Sequence, residues 1–233
     1  MQFTGHRRCK QCASEWSYFE TGSVSCPECG AIKSTGIGGP EPHTAQHTSL
    51  ELAPYWEVTD EEVRIESDKI RRAVTEFLSE YGFIKGGDFL PLHDEVLAAG
   101  ELRHAAYRYN TLGDPSEEVE HYLLGLLRAV MGESRPTSPP DVLKQARGRG
   151  TADILEQFLR DMRQWTQARA ATELMPIRES FRTHLHRIQA LEGDVDPVVL
   201  SRLIQSARAV QQYIAREDQQ SLSKARDHLA DVT

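Results

Sequence analysis

The 233-residue chain contains no apolar run of about 18 residues and has a mean hydropathy of −0.51, so no segment reads as a membrane-spanning helix. Met1 to Lys10 carries basic residues with no apolar stretch behind them, and no secretory leader is expected. Lysine is scarce: 21 of the 27 basic residues are arginine. Acid exceeds base to give a net charge of −8, which excludes generic attraction to phosphate backbones and demands a local basic patch of any nucleic-acid binder. There is no G-x-x-x-x-G-K-[ST] phosphate loop, no G-x-G-x-x-G fingerprint and no G-x-S-x-G elbow, so nucleotide-loop and serine-hydrolase templates fail. No cysteine follows residue 29.

The cysteines that are present stand in two pairs, Cys9-x-x-Cys12 and Cys26-x-x-Cys29. Without an export signal the thiols are expected to stay reduced, which disfavours a disulfide framework. Two C-x-x-C pairs across a short spacer are the ligand pattern of one tetrahedral zinc ion. Glu15 to Glu20 reads as one aromatic strand, Thr21-Gly22-Ser23 as a turn, and Pro27 and Gly30 as a tight bend around the metal. A segment of some 30 residues cannot bury enough apolar surface to fold alone. Structural zinc contributes about 10–16 kcal/mol in finger peptides, enough to fold such a segment, and four thiolates leave no open position for catalysis. Iron is the rival ion. Cys26-Pro27-Glu28-Cys29-Gly30 matches one knuckle of a rubredoxin, but Ala13 stands where the other would have glycine and the spacer is too short.

Residues 1–39 carry four basic and three acidic side chains, and four thiolates with one zinc bring the ribbon close to neutral. His6, Arg7, Arg8 and Lys10 form a small basic patch, and Trp16, Tyr18 and Phe19 offer rings to stack on bases; packing of alternate aromatics is the competing reading. Protein docking is therefore favoured over nucleic-acid binding.

The stretch from Arg7 to Gly36, followed by Pro40-Glu41-Pro42-His43-Thr44, resembles a group of uncharacterised haloarchaeal proteins described as transcription factor IIB-type zinc-ribbon-containing proteins. The likeness is specific over residues 5–48 and general beyond. It implies one structural zinc at Cys9, Cys12, Cys26 and Cys29 in an archaeal cytoplasm. Ribbons of true IIB factors dock on RNA polymerase, but no tandem cyclin-like repeats follow here, so promoter recognition is not implied.

Residues 31–58 hold three glycines and three prolines and read as a linker, with Leu50 to Leu52 as a short extended segment and Trp56 as an anchor. His43 and His47 are not expected to bind metal, because prolines break the helix their spacing would need. From Thr59 the period becomes helical. Thr59-x-x-Glu62 is a capping box ahead of Ile70, Val74, Phe77 and Tyr81. Further helices are expected over Pro91–Tyr109, from Pro115 through Val130, around Ile154 to Trp165, from Pro176 through Ile188, from Pro197 through Ile214, and over Ser221–Ala230. Asp141 to Gln145 reads as a helical turn, Arg147-Gly148-Arg149-Gly150 as a flexible loop, and no β pattern follows residue 58.

Glu101-x-x-His104 and Glu118-x-x-His121 would suit a di-iron bundle. The helical wheel turns both histidines away from the apolar stripes, which makes these four ordinary surface residues. The expectation is thus a small β zinc ribbon (1–36), a linker (37–58) and an all-α helical domain (59–233) of about six or seven helices. Its function is read as non-enzymatic: the ribbon docks on a protein partner, with RNA polymerase or the ribosome as candidates, in the cytoplasm and without membrane association. The alternatives are a nucleic-acid-binding regulator, a rubredoxin-like electron carrier and a di-iron helical enzyme.

Overall fold

A computed structural model describes residues 2–46 and 60–232. Residues 2–46 form a small antiparallel β unit. Strand β1 (Gln2–Phe3) pairs with β5 (Glu41–Pro42), while β2 (His6–Cys9) is flanked by β3 (Glu15–Ser17) and β4 (Ser34–Gly36). The aromatic stretch after Glu15 is therefore not one strand. It turns at Ser17 into a single helical turn, α1 (Tyr18–Thr21), closed by Gly22 with a positive φ of 63°. That turn delivers Phe19 into the interior, 3% exposed, among Phe3, His6 and His43.

The rest is helical: α2 (Asp60–Glu80), α3 (Asp94–Thr111), α4 (Glu117–Val130), α5 (Lys144–Arg169), α6 (Met175–Ala190), α7 (Pro197–Arg216) and α8 (Gln219–Ala230). Asp196 and Asp218 cap α7 and α8 by accepting from Val198 N and from Gln220 N, and Pro176 sits in the first turn of α6, as its sequence position predicts. Helix α3 is buried on every side from Val96 to Leu102, and on one face as far as Tyr109, among α2, α4 and α5. Its small residues permit that approach. A Cβ on Gly100 would lie 2.7 Å from the Gly150 carbonyl oxygen, so the α3 and α5 backbones are in direct contact there.

Two expectations are corrected at the junction of the halves. The helical region does contain β structure: β6 (Ile84–Lys85) and β7 (Asp88–Phe89) form a hairpin, with two-residue strands too short to show a period of two. The described part of the presumed linker, 37–46, is not a spacer. Thr44 N and Ala45 N donate to Ile84 O at 2.8 and 2.9 Å, Gly87 N donates to Pro42 O at 2.9 Å, and β5 lies against α5. Leu50 to Leu52, Trp56, His47 and Thr59 lie outside the described residues.

Asp161 on α5 ties this junction together. Its Oδ2 accepts from Phe83 N at 2.6 Å and from Thr44 Oγ1 at 2.7 Å, while Ile84 N donates to Thr44 Oγ1 at 3.1 Å. Burial raises the Asp161 pKa, and the bonds from Phe83 and Thr44 pull the other way. Trp165 and Arg169, one and two turns further along α5, both donate to Gly87 O. The metal-ligand half is thus fastened to the helical half by backbone pairing and a buried carboxylate.

Candidate metal centre

Each cysteine pair is a knuckle whose backbone folds on itself, and the two knuckles repeat the same bonds. Cys9 N donates to Ser14 O and Ala13 N to Cys9 O; Cys26 N donates to Ala31 O and Gly30 N to Cys26 O. The fifth residue is left-handed in both, Ala13 at φ 62° and Gly30 at φ 71°. Alanine at this position adopts the conformation glycine favours, at a cost of about 1 kcal/mol. The missing glycine therefore does not distinguish the first knuckle from the second.

The sulfur atoms converge. All four Sγ atoms lie within 4.8 Å of one another, with Cys9 to Cys29 at 3.6 Å and Cys12 to Cys26 at 3.5 Å. A metal at about 2.3 Å from four thiolates spaces them about 3.8 Å apart at tetrahedral angles. Donor set and spacing fit one such ion. Gln11 N and Cys12 N point at the Cys9 sulfur at 3.3 and 3.5 Å, supplying the N–H donors that stabilise a thiolate. Ser14 Oγ stands 3.2 Å from the Cys12 sulfur and 3.0 Å from that of Cys26. It is a polar contact that the spacing of the cysteines does not announce.

The four sulfurs perturb one another's ionisation. Hydrogen bonding by Ser14 lowers the Cys12 pKa, and the same hydroxyl, with N–H groups of Cys29 and Glu28, brings Cys26 down to about 6. Cys29 receives a favourable bond from the Ala31 backbone, yet the sulfurs of Cys12, Cys9 and Cys26, together with burial, drive it up to about 12. Four thiolates this close repel one another, and a divalent ion is the kind of partner that would let all four stay deprotonated.

Cys9 and Cys26 are 2% exposed, whereas Cys12 and Cys29 face outward. The sulfur cluster therefore lies at the surface, three residues along β2 from His6, while Phe19 anchors the opposite end. A Cβ on Gly86 of the β6–β7 hairpin would sit 2.7 Å from the Phe19 ring, so ring and hairpin are in contact.

The proposed contact residues are divided by the structure. Arg7 donates to Ser34 Oγ at 2.9 Å, and Arg8 is ion-paired with Glu15 at 2.5 Å. Trp16 is buried, its indole N–H donating to Ser23 O at 3.0 Å, so it offers no face for stacking. Tyr18 packs edge-on to Phe3. Lys10 remains exposed. Close in sequence to the knuckles, Ile32 is 74% exposed and Val24 45%, two solvent-facing apolar side chains that the sequence pattern does not mark.

Two other constellations are corrected. Glu101 is not a surface residue. It is fully buried, where it accepts from Arg135 Nε at 2.7 Å, from Arg147 Nε at 3.1 Å and from Tyr122 Oη. His104 bonds Asp153 at 2.6 Å rather than facing solvent. His121 Nδ1 donates to Glu117 O in its own helix. The four cysteines form the single metal-sized donor group among the described residues. Arg147 to Gly150 is likewise not a loop. It lies in α5, with Arg147 turned in to Glu101, Arg149 bonded to Glu192 O, Gly148 against Gly193 and Gly150 against Glu101.

Fold and site together define a β unit with a four-cysteine candidate metal site, joined to a mostly helical domain, with no helix among the described residues long and apolar enough to cross a membrane. Over residues 1–229 the chain matches, and belongs to, a family of unknown function, DUF7117. No curated protein and no solved structure matches it.

Proposed function

We propose that this is a zinc-dependent, non-enzymatic interaction protein, whose ribbon is closed by one structural zinc and docks by its metal-bearing tip on a protein partner. The observation that carries the reading is the pairing of a complete four-sulfur donor set with two exposed apolar side chains close to it in sequence, Ile32 and Val24. Four protein ligands leave the ion coordinatively closed, so its role is to fold and rigidify the tip rather than to activate a substrate. The neutralisation of Arg8 by Glu15 and the burial of Trp16 favour a protein over a nucleic acid as the docking surface. The likeness to IIB-type ribbons makes RNA polymerase the first partner to test and the ribosome the second, in an archaeal cytoplasm.

The test uses the full-length, zinc-loaded chain as bait against native lysate and purified polymerase, beside an Ile32→Asp variant. The reading predicts capture that drops at least tenfold in the variant while zinc content and helical circular dichroism stay unchanged. A captured set indifferent to Ile32→Asp and Val24→Asp would refute docking by the tip.

A further inference from the structure

Helices α5 and α6 enclose a groove of about 380 Å³ that is unlike the rest of this acidic protein. Arg160 and Arg163 stand on the α5 wall, Arg178 and Arg182 on the α6 wall, with His186 one turn beyond. Leu159 and Leu185, 6% and 1% exposed, form an apolar floor. Arginines placed three or four residues apart on a helix project from one face, about 4.5–6 Å apart along its axis. Two such rows therefore oppose each other across the groove.

These cations are poorly compensated. Arg160 and Arg163 have no carboxylate within ion-pair distance among the described residues. Arg178 and Arg182 share a single acid, Glu179, at 3.4 and 3.3 Å, and Glu179 is largely solvent-exposed. Glu156, the acid on the wall, accepts instead from Gln189. Counting both acids, two positive charges remain unmatched in a chain whose net charge is −8. In addition, Arg178 Nε is buried without any hydrogen-bond acceptor. An orphaned guanidinium donor costs free energy unless something supplies an oxygen.

We infer that this groove is a binding site for a di- or triphosphate group, carried by a small organic ligand or free as an inorganic oligophosphate. Guanidinium forks grip phosphate oxygens in bidentate fashion, and four of them on two walls exceed what a single carboxylate can occupy. The volume falls in the range of small-molecule sites, and the leucine floor leaves room for an organic part. The acidic charge of the remaining surface works against a long polyanion, which favours a compact ligand over a nucleic-acid strand. This site is independent of the ribbon and of its partner.

The test is isothermal titration of the full-length, zinc-loaded protein with inorganic pyrophosphate and with inorganic tripolyphosphate at low salt. The variants are Arg160→Ala, Arg182→Ala and their double, with the exposed Arg72→Ala as control. The inference predicts one bound equivalent, about tenfold weaker binding for each groove alanine, no change for Arg72→Ala, and unchanged zinc content and circular dichroism throughout. Absence of binding at low salt, or binding that ignores both groove alanines, overturns it. A single-stranded oligonucleotide that binds more tightly with each added length, and is weakened by the same alanines, also overturns it and makes the groove part of a nucleic-acid track.

Discussion

Asp161→Ala probes how the four-cysteine half is held on the helical half. The substitution deletes the oxygen that receives Phe83 N and Thr44 Oγ1. Phe83 is fully buried, so its N–H has no water to turn to; an unsatisfied buried donor costs about 1–3 kcal/mol. Losing the Thr44 bond adds about 1 kcal/mol, for a total of about 2–4 kcal/mol. In a chain of this length each kcal/mol lowers Tm by about 2–4 °C, so calorimetry should show a fall of about 4–16 °C at pH 7. Asp161→Asn keeps an acceptor and removes the charge, and it should lie within about 1 kcal/mol of the wild type. The pH dependence has a definite sign. An acid whose folded pKa is raised contributes most below its unfolded value of 3.8 and loses that contribution as pH rises through the higher folded value. Wild-type stability minus that of Asp161→Asn should therefore decline with rising pH over this window. A drop below 2 °C for Asp161→Ala, or a difference that grows with pH, would refute the reasoning.

Ala13→Gly relieves the left-handed alanine and should stabilise the metal-bound protein by about 1 kcal/mol, read as slower zinc loss to a chelator. Gly150→Ala places a Cβ 2.4 Å from Glu101 N at the α3–α5 crossing and should cost at least about 2 kcal/mol in urea unfolding; a neutral result would contradict the crossing. Glu101→Ala leaves Arg135 and Arg147 uncompensated in the interior and should cost about 3–5 kcal/mol, seen as a reduced unfolding midpoint.

Much of this was legible in the residues themselves. The cysteine spacing designates the four donors that converge, and the spacings of Ile70-Val74, Leu123-Leu127 and Phe181-Leu185 mark helices that are present. Asp196-Pro197 announces a helix start by local chemistry alone. What escaped depends on partners distant in sequence. Glu41-Pro42 becomes a strand only because Gln2-Phe3 lies beside it, and the Gly86-Gly87 hairpin has arms too short for periodicity. Glycines 148 and 150 read as loop residues because the reason for them, close approach to Gly193 and to Gly100–Glu101, sits on other elements. Glu101 was misplaced because α3 has no solvent side at that level. The arginine pairs are visible singly at helical spacing, but their apposition needs α5 and α6 packed together.

The measurement that bears most directly on the account is elemental analysis of full-length protein purified under reduction and without chelator, combined with thiol titration. The account predicts one zinc per chain and four thiols that react only after the metal is stripped, with loss of the β unit's near-ultraviolet signal from Trp16. Iron in place of zinc would shift the reading to electron transfer. Less than about half an equivalent of any metal, with four freely reactive thiols in a protein that keeps that signal, would contradict it.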